Sequence, residues 1–349
     1  MQEEKKKLKI NRLSKADSVK AQGVGSVYLE ERKLLDKYGK DDFEIQVNSR
    51  KKGFDLYHIH SINSSFYFRR KKNRTTIRFV HFRPDTLEGS IRLPKLFFRI
   101  FKKYVVSFYK KAKEIVVVNP SFKEELIAYG LDQNRISYIP NFVSKDTFFP
   151  VPREEKKQIR EKYNVPEHAF VVLGVGQVQT RKGILDFIEL SKRHPERYFI
   201  WAGGFSFKGI TDGYPELKKE RKEKRENRKF LGIIDRKERN DIYNRADVFL
   251  LPSYNELFPM ALLENCSVGN PFIVRDLSLY DCILPSSTLR AKENSGFSLL
   301  LTDLYKDKDF YEKGKLISTE IKKTYSEENI YHLWKEYYFR IYRKYNLEK

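Results

Sequence analysis

Cysteine is scarce in this chain, with Cys266 and Cys282 the two present. That is too few for a disulfide framework, and neither stands in a C-x-x-C pair, so a reduced cytosolic setting is expected. No stretch approaches the ~18 uninterrupted apolar residues of a membrane-spanning helix. Met1-Gln2-Glu3-Glu4-Lys5-Lys6-Lys7 has no apolar run behind it, and no secretory signal is expected there. Internal repeats are also lacking. Acidic charge is in short supply, with 47 Asp and Glu against 69 Lys and Arg for a net +22. What is present is a 40% hydrophobic, 14% aromatic composition over 349 residues, which excludes disorder and suffices for two domains with their own cores.

The basic excess is uneven. Residues 1–150 carry 32 basic and 17 acidic side chains, or +15, and residues 69–113 alone carry 15 against Asp85 and Glu88. Within that window Lys95–Lys111 spaces Phe97, Phe101, Tyr104 and Phe108 at helical intervals, with Ile100 beside them. Arg99, Lys102, Lys103, Lys110 and Lys111 occupy much of the rest, while Phe98, Val105 and Tyr109 widen the apolar set. A basic amphipathic helix with bulky aromatics suits an anionic membrane surface, and Phe97, Phe98, Phe101, Lys102, Lys103, Lys110 and Lys111 are the expected contacts. A helix flanking a parallel sheet needs an apolar stripe too, so core packing fits the same residues. Nucleic acid is not expected, because no recognisable RNA- or DNA-binding motif surrounds the charge.

Strand-like and helical runs alternate along the chain. Strands are predicted at 43–47, 56–60, 76–82, 115–119 and 136–140, then at 170–174, 198–202, 229–231, 248–251 and 271–274. Helices are predicted at 27–37, 122–129, 184–193, 236–244, 259–268, 304–323 and 327–345. Such alternation gives an α/β fold with parallel sheets, whose ligands bind beyond the carboxyl ends of the strands. The Pro-containing stretch 148–152 reads as a linker, dividing residues 1–150 from residues 151–325, with a C-terminal helix over 326–349.

Two glutamates stand out. Asp247–Leu251 reads as a buried strand ending at Pro252, and Pro259 fits the first position of a helix. Glu256 then lies in the strand-to-helix loop and Glu264 inside a helix of mostly apolar residues. Acids bracketing a helix N-terminus beyond a strand end suit a polyhydroxyl ligand carrying a phosphate. A solvated loop Glu plus a core Glu paired with a nearby Arg would have the same spacing. Upstream, Gly174-Val175-Gly176 ends a strand and Arg181-Lys182-Gly183 opens a helix, placing cations near free N–H groups. This is not a P-loop, since the Lys precedes its Gly, and it lacks the third glycine of a dinucleotide fingerprint. His58 and His60 point to one face of their strand, but no third metal ligand is evident and no metal is expected.

The Glu256-to-Glu264 spacing resembles the Glu-x7-Glu motif of the retaining GT-B glycosyltransferases of family four. Phe230-Leu231-Gly232, Tyr243-Asn244-Arg245-Ala246-Asp247, Leu251-Pro252-Ser253 and the Gly174–Gly183 segment match that family in order. The resemblance implies two Rossmann-like domains with a cleft between them, and no metal or other cofactor. It implies that Glu264 binds the ribose hydroxyls of a UDP sugar and Glu256 those of the transferred hexose. Lys182 and the N–H groups near Leu257 and Phe258 would stabilise the leaving diphosphate, and backbone near Gly232 would hold the base. Gln177 stands where the family usually carries an Arg, with Arg181 beside the retained Lys as a compensating cation. Gly25, in Gly23-Val24-Gly25, resembles the N-terminal loop that approaches the donor phosphate, and is expected to precede the first helix. His81 resembles the histidine that lines the cleft near the transferred sugar.

Finer resemblance, in Gln177–Gly183, Trp201–Phe207, Gly232–Arg236 and Tyr254–Met260, is to bacterial synthases that add a hexose to glucosyl-diacylglycerol. Those enzymes make the diglycosyl lipid that anchors lipoteichoic acid. The implied partners are UDP-glucose or UDP-galactose, a glycolipid acceptor and the inner face of the cell membrane. A cell-wall polymer, a capsule precursor or a protein as acceptor, or a non-catalytic partner of another transferase, are the alternatives.

Overall fold

The structure, a computed structural model, describes residues 7–15, 23–67, 75–80, 95–205, 214–223 and 225–346. The chain divides into two compact units, one reaching Phe142 and resuming at Ser326, the other running from Val143 to Tyr325. The division precedes the Pro-containing stretch because that stretch is already anchored in the second unit. Phe148 packs edge-on against Tyr243 at 5.6 Å, and the N–H groups of Phe149 and Val151 donate to the side chains of Asn240 and Asn244.

The first unit is built on a parallel sheet of β1 (Leu8–Leu13), β2 (Phe43–Val47), β3 (Leu56–Ile59), β4 (Thr75–Val80), β5 (Glu114–Val117) and β6 (Ile136–Tyr138), in the order β2-β1-β3-β4-β5-β6. Its helices are α1 (Gly23–Tyr38), the short α2 (Ser64–Tyr67), α3 (Lys95–Lys110) and α4 (Ser121–Ala128). β1 escapes a reading by pattern because Lys9, Asn11 and Arg12 interrupt its apolar residues, yet Arg12 is buried. Gly25 lies inside α1 rather than before it, since the helix begins at Gly23.

The second unit begins with α5 (Arg153–Lys162). Its sheet contains β7 (Val171–Val175), β8 (Tyr198–Ala202), β9 (Arg228–Gly232), β10 (Val248–Leu251), β11 (Phe272–Arg275) and β12 (Arg290–Ala291), in the order β12-β11-β10-β7-β8-β9. α6 (Ile184–Arg193), α7 (Tyr214–Lys222), α8 (Arg239–Asn244), α9 (Met260–Val268), α10 (Asn294–Lys306) and α11 (Lys308–Thr324) cover it. The helix predicted over 304–323 is α11, which starts at Lys308 because Asp307 caps it, accepting from the Phe310 N–H at 3.0 Å, and α10 before it lies mostly outside the prediction. β7, β8, β10 and β11 are buried along nearly their whole length, as strands covered on both faces must be.

α12 (Glu327–Asn346) packs on the first unit. Ile330, Trp334, Tyr337, Tyr338 and Ile341 are buried, whereas Leu333, read as part of the same apolar side, is 39% exposed. Trp334 stacks on Phe79 and Tyr338 at 5.5 and 5.2 Å, so the helix contributes large aromatic area to the core.

α3 divides its apolar residues between two directions. Val105, Phe108 and Tyr109 are buried, Phe98, Phe101 and Tyr104 are half-buried, and Leu96, Phe97 and Ile100 are 64%, 61% and 58% exposed. The stripe read from spacing is therefore core at its C-terminal end. Val105 and Tyr109, read as surplus, belong to that core. Arg99, Lys103 and Lys110 are exposed, while Lys111 lies over the Tyr67 ring at 3.6 Å and Lys102 over Tyr129 at 5.0 Å.

Candidate active site

In the second unit the chain enters the sheet at β7, winds out to β9 and returns to place β10 on the other side of β7. Loops leaving β7 and β10 therefore turn to opposite faces, and the space between them is the crevice where open α/β sheets bind ligands. Both predicted motifs stand at this point. After β7 the chain makes a 3-10 turn over Thr180–Lys182 and enters α6 through Gly183, whose φ of 69° is left-handed. A Cβ there would collide with the Pro252 carbonyl oxygen, so the glycine permits the two loops to touch.

That contact brings Lys182 to Glu256. Lys182 Nζ lies 2.5 Å from Glu256 Oε1, and both side chains are largely removed from water. Burial alone would raise the Glu256 pKa, but the Lys182 and Arg181 charges outweigh it and hold the carboxyl below its ordinary value. Burial lowers the pKa of the Lys182 ammonium, against the opposing pull of Glu256. Glu256 is thus not a solvated loop residue.

Arg181 ties the loops together. Its Nη1 donates to Asn255 O at 2.9 Å, and its own carbonyl accepts from the Tyr254 N–H at 2.9 Å. Its guanidinium still contributes charge to the site while serving as a strut. Gln177 is half-buried at the start of the same loop, beyond Gly176.

Pro259 precedes α9 as its N-cap residue, one position earlier than read from the sequence. Glu264, a turn into α9, accepts from the Tyr243 hydroxyl at 2.5 Å, and burial beside that carboxylate pushes the Tyr243 pKa well up. The motif containing Tyr243 does not reveal this contact, because no spacing connects the end of α8 to the middle of α9. Phe258 is buried edge-on against Tyr325 at 5.3 Å, and Leu257 is half-buried. Gly232 closes β9 with φ 76°, its carbonyl accepting from the Gly203 N–H at 2.8 Å. His81 lies outside the described residues.

A second polar cluster is internal to the first unit. His58 and His60 face one side of β3, and Glu31 of α1 joins them, with one donor atom of each within 4.8 Å of the others. Glu31 is the third group that strand spacing does not reveal. Arg12 brings a cation to two of these groups, with Nη2 3.0 Å from Glu31 Oε1 and 3.1 Å from His60 Nε2. Tyr338 OH lies 2.7 Å from His58 Nδ1. Burial pushes the Glu31 carboxyl up to about 7, with Arg12 pulling the other way. The arrangement is an ion-pair network that has its own cation.

Comparison with known proteins decides the family. Residues 155–284 match the glycosyl transferases group 1 model, and residues 15–147 match the glycosyltransferase family 4 model. Over 342 residues the chain is 42% identical to an alpha-galactosylglucosyldiacylglycerol synthase of Streptococcus pneumoniae, covering 96% of this chain and 90% of that one. The chain belongs to the GT-B glycosyltransferases of family four. A processive diacylglycerol alpha-glucosyltransferase of Acholeplasma laidlawii is 24% identical over 289 residues, covering 82% of this chain and 85% of that one. In fold, this glycosyltransferase resembles Anabaena HepE, solved in complex with UDP and glucose, with a TM-score of 0.75 and 15% identity over 95% of this chain and 100% of that one. Among the described residues no helix is long and apolar enough to cross a membrane.

Proposed function

We propose that this glycosyltransferase moves a hexose from a UDP sugar to glucosyl-diacylglycerol, with retention at the anomeric carbon. The observation that carries the donor side is the buried Lys182–Glu256 pair at the β7–β10 switch point. A cation and a carboxylate held together out of water suit a ligand presenting phosphate charge next to sugar hydroxyls. Lys182 neutralises charge developing on the departing diphosphate, with help from the N–H groups near Leu257 and Phe258. Glu256 accepts from hydroxyls of the transferred hexose, and Glu264, oriented by Tyr243, accepts from the ribose. The bond between the anomeric carbon and the diphosphate oxygen breaks. The acceptor oxygen bonds on the same face, and its proton passes to the departing phosphate oxygen. No step requires an enzyme nucleophile.

Two lines support the lipid acceptor. The S. pneumoniae relative's name describes synthesis of a galactosylglucosyl lipid, which favours galactose as the sugar transferred. The first turns of α3 also leave Leu96, Phe97 and Ile100 exposed beside Arg99 and Lys103, a combination suited to the inner face of an anionic membrane.

The test is turnover of UDP-galactose and of UDP-glucose with detergent-dispersed glucosyl-diacylglycerol, read by mass spectrometry and NMR. The expected result is a lipid product heavier by one hexose in α linkage, with release of UDP. Absence of a lipid product with both donors overturns the reading.

A further inference from the structure

The loop presenting Glu256 spans residues 252–259 without regular structure of its own, and where Lys182 and Arg181 hold its middle, its start needs a separate anchor. One side chain is built for this. Arg275, buried at the carboxyl end of β11, donates from Nε to Pro252 O at 2.9 Å and from Nη1 to Lys292 O at 2.5 Å. Its Nη2 lies 3.2 Å from Asp186 Oδ2 in the first turn of α6. The flat face of the same guanidinium covers the Tyr254 ring at 3.8 Å, and the Tyr254 hydroxyl donates to Asp186 Oδ1 at 3.2 Å.

We propose that Arg275 is a positioning residue of Glu256, acting from the start of its loop beside the Lys182 and Arg181 contacts. One planar group joins three segments, namely the start of the Glu256 loop, the chain after β12 and the first turn of α6. Asp186 stands four residues beyond Lys182, so the clamp ties the helix following the cation to the loop bearing the carboxylate. A guanidinium does this because its donors diverge in one rigid plane and its face stacks on an aromatic ring. A lysine ammonium has neither property. The inference rests on the reading that Glu256 holds the transferred hexose, and adds a residue through which that hold is set.

The experiment compares wild type with Arg275→Lys, using UDP and whichever of UDP-galactose and UDP-glucose the wild type turns over. Arg275 bonds neither the Glu264–Tyr243 pair nor Lys182, whose N–H donates to Gln179 O at 3.0 Å within its own turn, so affinity for UDP should stay within about threefold while kcat falls by about tenfold or more. Glu256→Gln supplies the readout that general damage would not move. If Arg275 acts through Glu256, adding Arg275→Lys to Glu256→Gln should lower kcat by less than about threefold further. Tyr254→Ala removes the exposed stacking partner without touching the core, and should give the same division between UDP affinity and kcat on a smaller scale. It decides the matter if Arg275→Lys does not fold.

Wild-type kcat in the tested variant overturns the inference, as do equal losses of UDP and UDP-sugar affinity, or full additivity with Glu256→Gln. Wild-type protein that fails to bind UDP overturns the donor-site reading and this inference together. Wild-type protein that binds and turns over, beside a variant that is unaffected, overturns this inference alone.

Discussion

Lys182 Nζ and Glu256 Oε1 meet at 2.5 Å although 74 residues separate them in the chain. Each keeps the other's charge tolerable away from water, and removing one partner strands the other. Glu256→Ala or Lys182→Ala alone should destabilise the fold by ~3 kcal/mol, while Lys182→Met with Glu256→Leu should recover most of it. The Glu256 carboxyl is held below its ordinary value of 4.5, so its stabilisation is present above that value and lost as pH falls through the lowered one. Thermal melts from about pH 6 to about pH 3 should show the wild type losing its advantage over Glu256→Gln on acidification. A constant difference throughout would sink the assignment.

Glu264 should act on nucleotide affinity rather than on turnover. Truncating it to Ala removes a charged acceptor for the ribose, worth ~1.5–3 kcal/mol, and UDP binding should weaken accordingly. Tyr243→Phe should cost less, ~0.5–1.5 kcal/mol, because it removes only the hydroxyl that orients the carboxylate. Glu256→Ala should leave UDP affinity nearly unchanged in the folded protein. Calorimetry showing equal loss for Glu264→Ala and Glu256→Ala would refute the division of labour.

The loop after β7 offers a gain-of-affinity test. Gln177→Arg should tighten UDP binding by restoring a cation at the diphosphate. Lys182→Ala should impair UDP binding more than Arg181→Ala, since Arg181 spends a donor on Asn255 O. If Arg181→Ala proves the more damaging in UDP titrations, the roles of the two cations are exchanged.

Much of this fold is legible from local pattern. β8 and β10 are short continuous apolar runs, and α6 carries a helical stripe behind Gly183, so run length bounds the strands and periodicity bounds the helix. Elements whose polar residues find buried partners are not legible in this way. Arg12 makes β1 look like a surface segment until Glu31 is seen opposite it. In the candidate site, the order of motifs pointed to Glu256, Glu264 and Lys182. The Lys182–Glu256 pair, the Tyr243 hydroxyl on Glu264 and the Arg275 clamp all join distant segments, and no local spacing encodes them. α3 shows the reverse case. Its stripe was visible, but only packing separates Phe108, which is buried, from Phe97, which is exposed.

The two cysteines should differ in reactivity. Cys266 is buried in α9 and its thiol is pushed up to about 12 by burial, whereas Cys282 is exposed. The thiolate is the reacting form, so at about pH 8 an alkylating reagent should modify Cys282 alone in native protein and both after denaturation. Mass spectrometry counts the adducts. Modification of Cys266 at the same rate as Cys282 in native protein would contradict the packing of α9.

The membrane reading makes the sharpest demand on α3, because two kinds of attraction should separate by salt. Each Lys or Arg near an anionic bilayer contributes ~1 kcal/mol, and this decays within a Debye length. The apolar part contributes roughly 25 cal/mol per Å2 of area buried and is insensitive to salt. Arg99, Lys103 and Lys110 point to water, so replacing them with Gln should remove most of the salt-sensitive binding to anionic vesicles. Lys111 and Lys102, which lie over Tyr67 and Tyr129, should contribute less when replaced. Leu96, Phe97 and Ile100 are exposed, so changing them to Ser should abolish the salt-resistant remainder without loss of thermal stability. Phe101→Ser, at a half-buried position, should lower stability as well. Vesicle flotation across a salt series, paired with melting curves, reads both effects. Equal binding of the wild type to neutral and anionic vesicles, or to neither, would leave α3 as a domain helix whose exposed first turns have no membrane role.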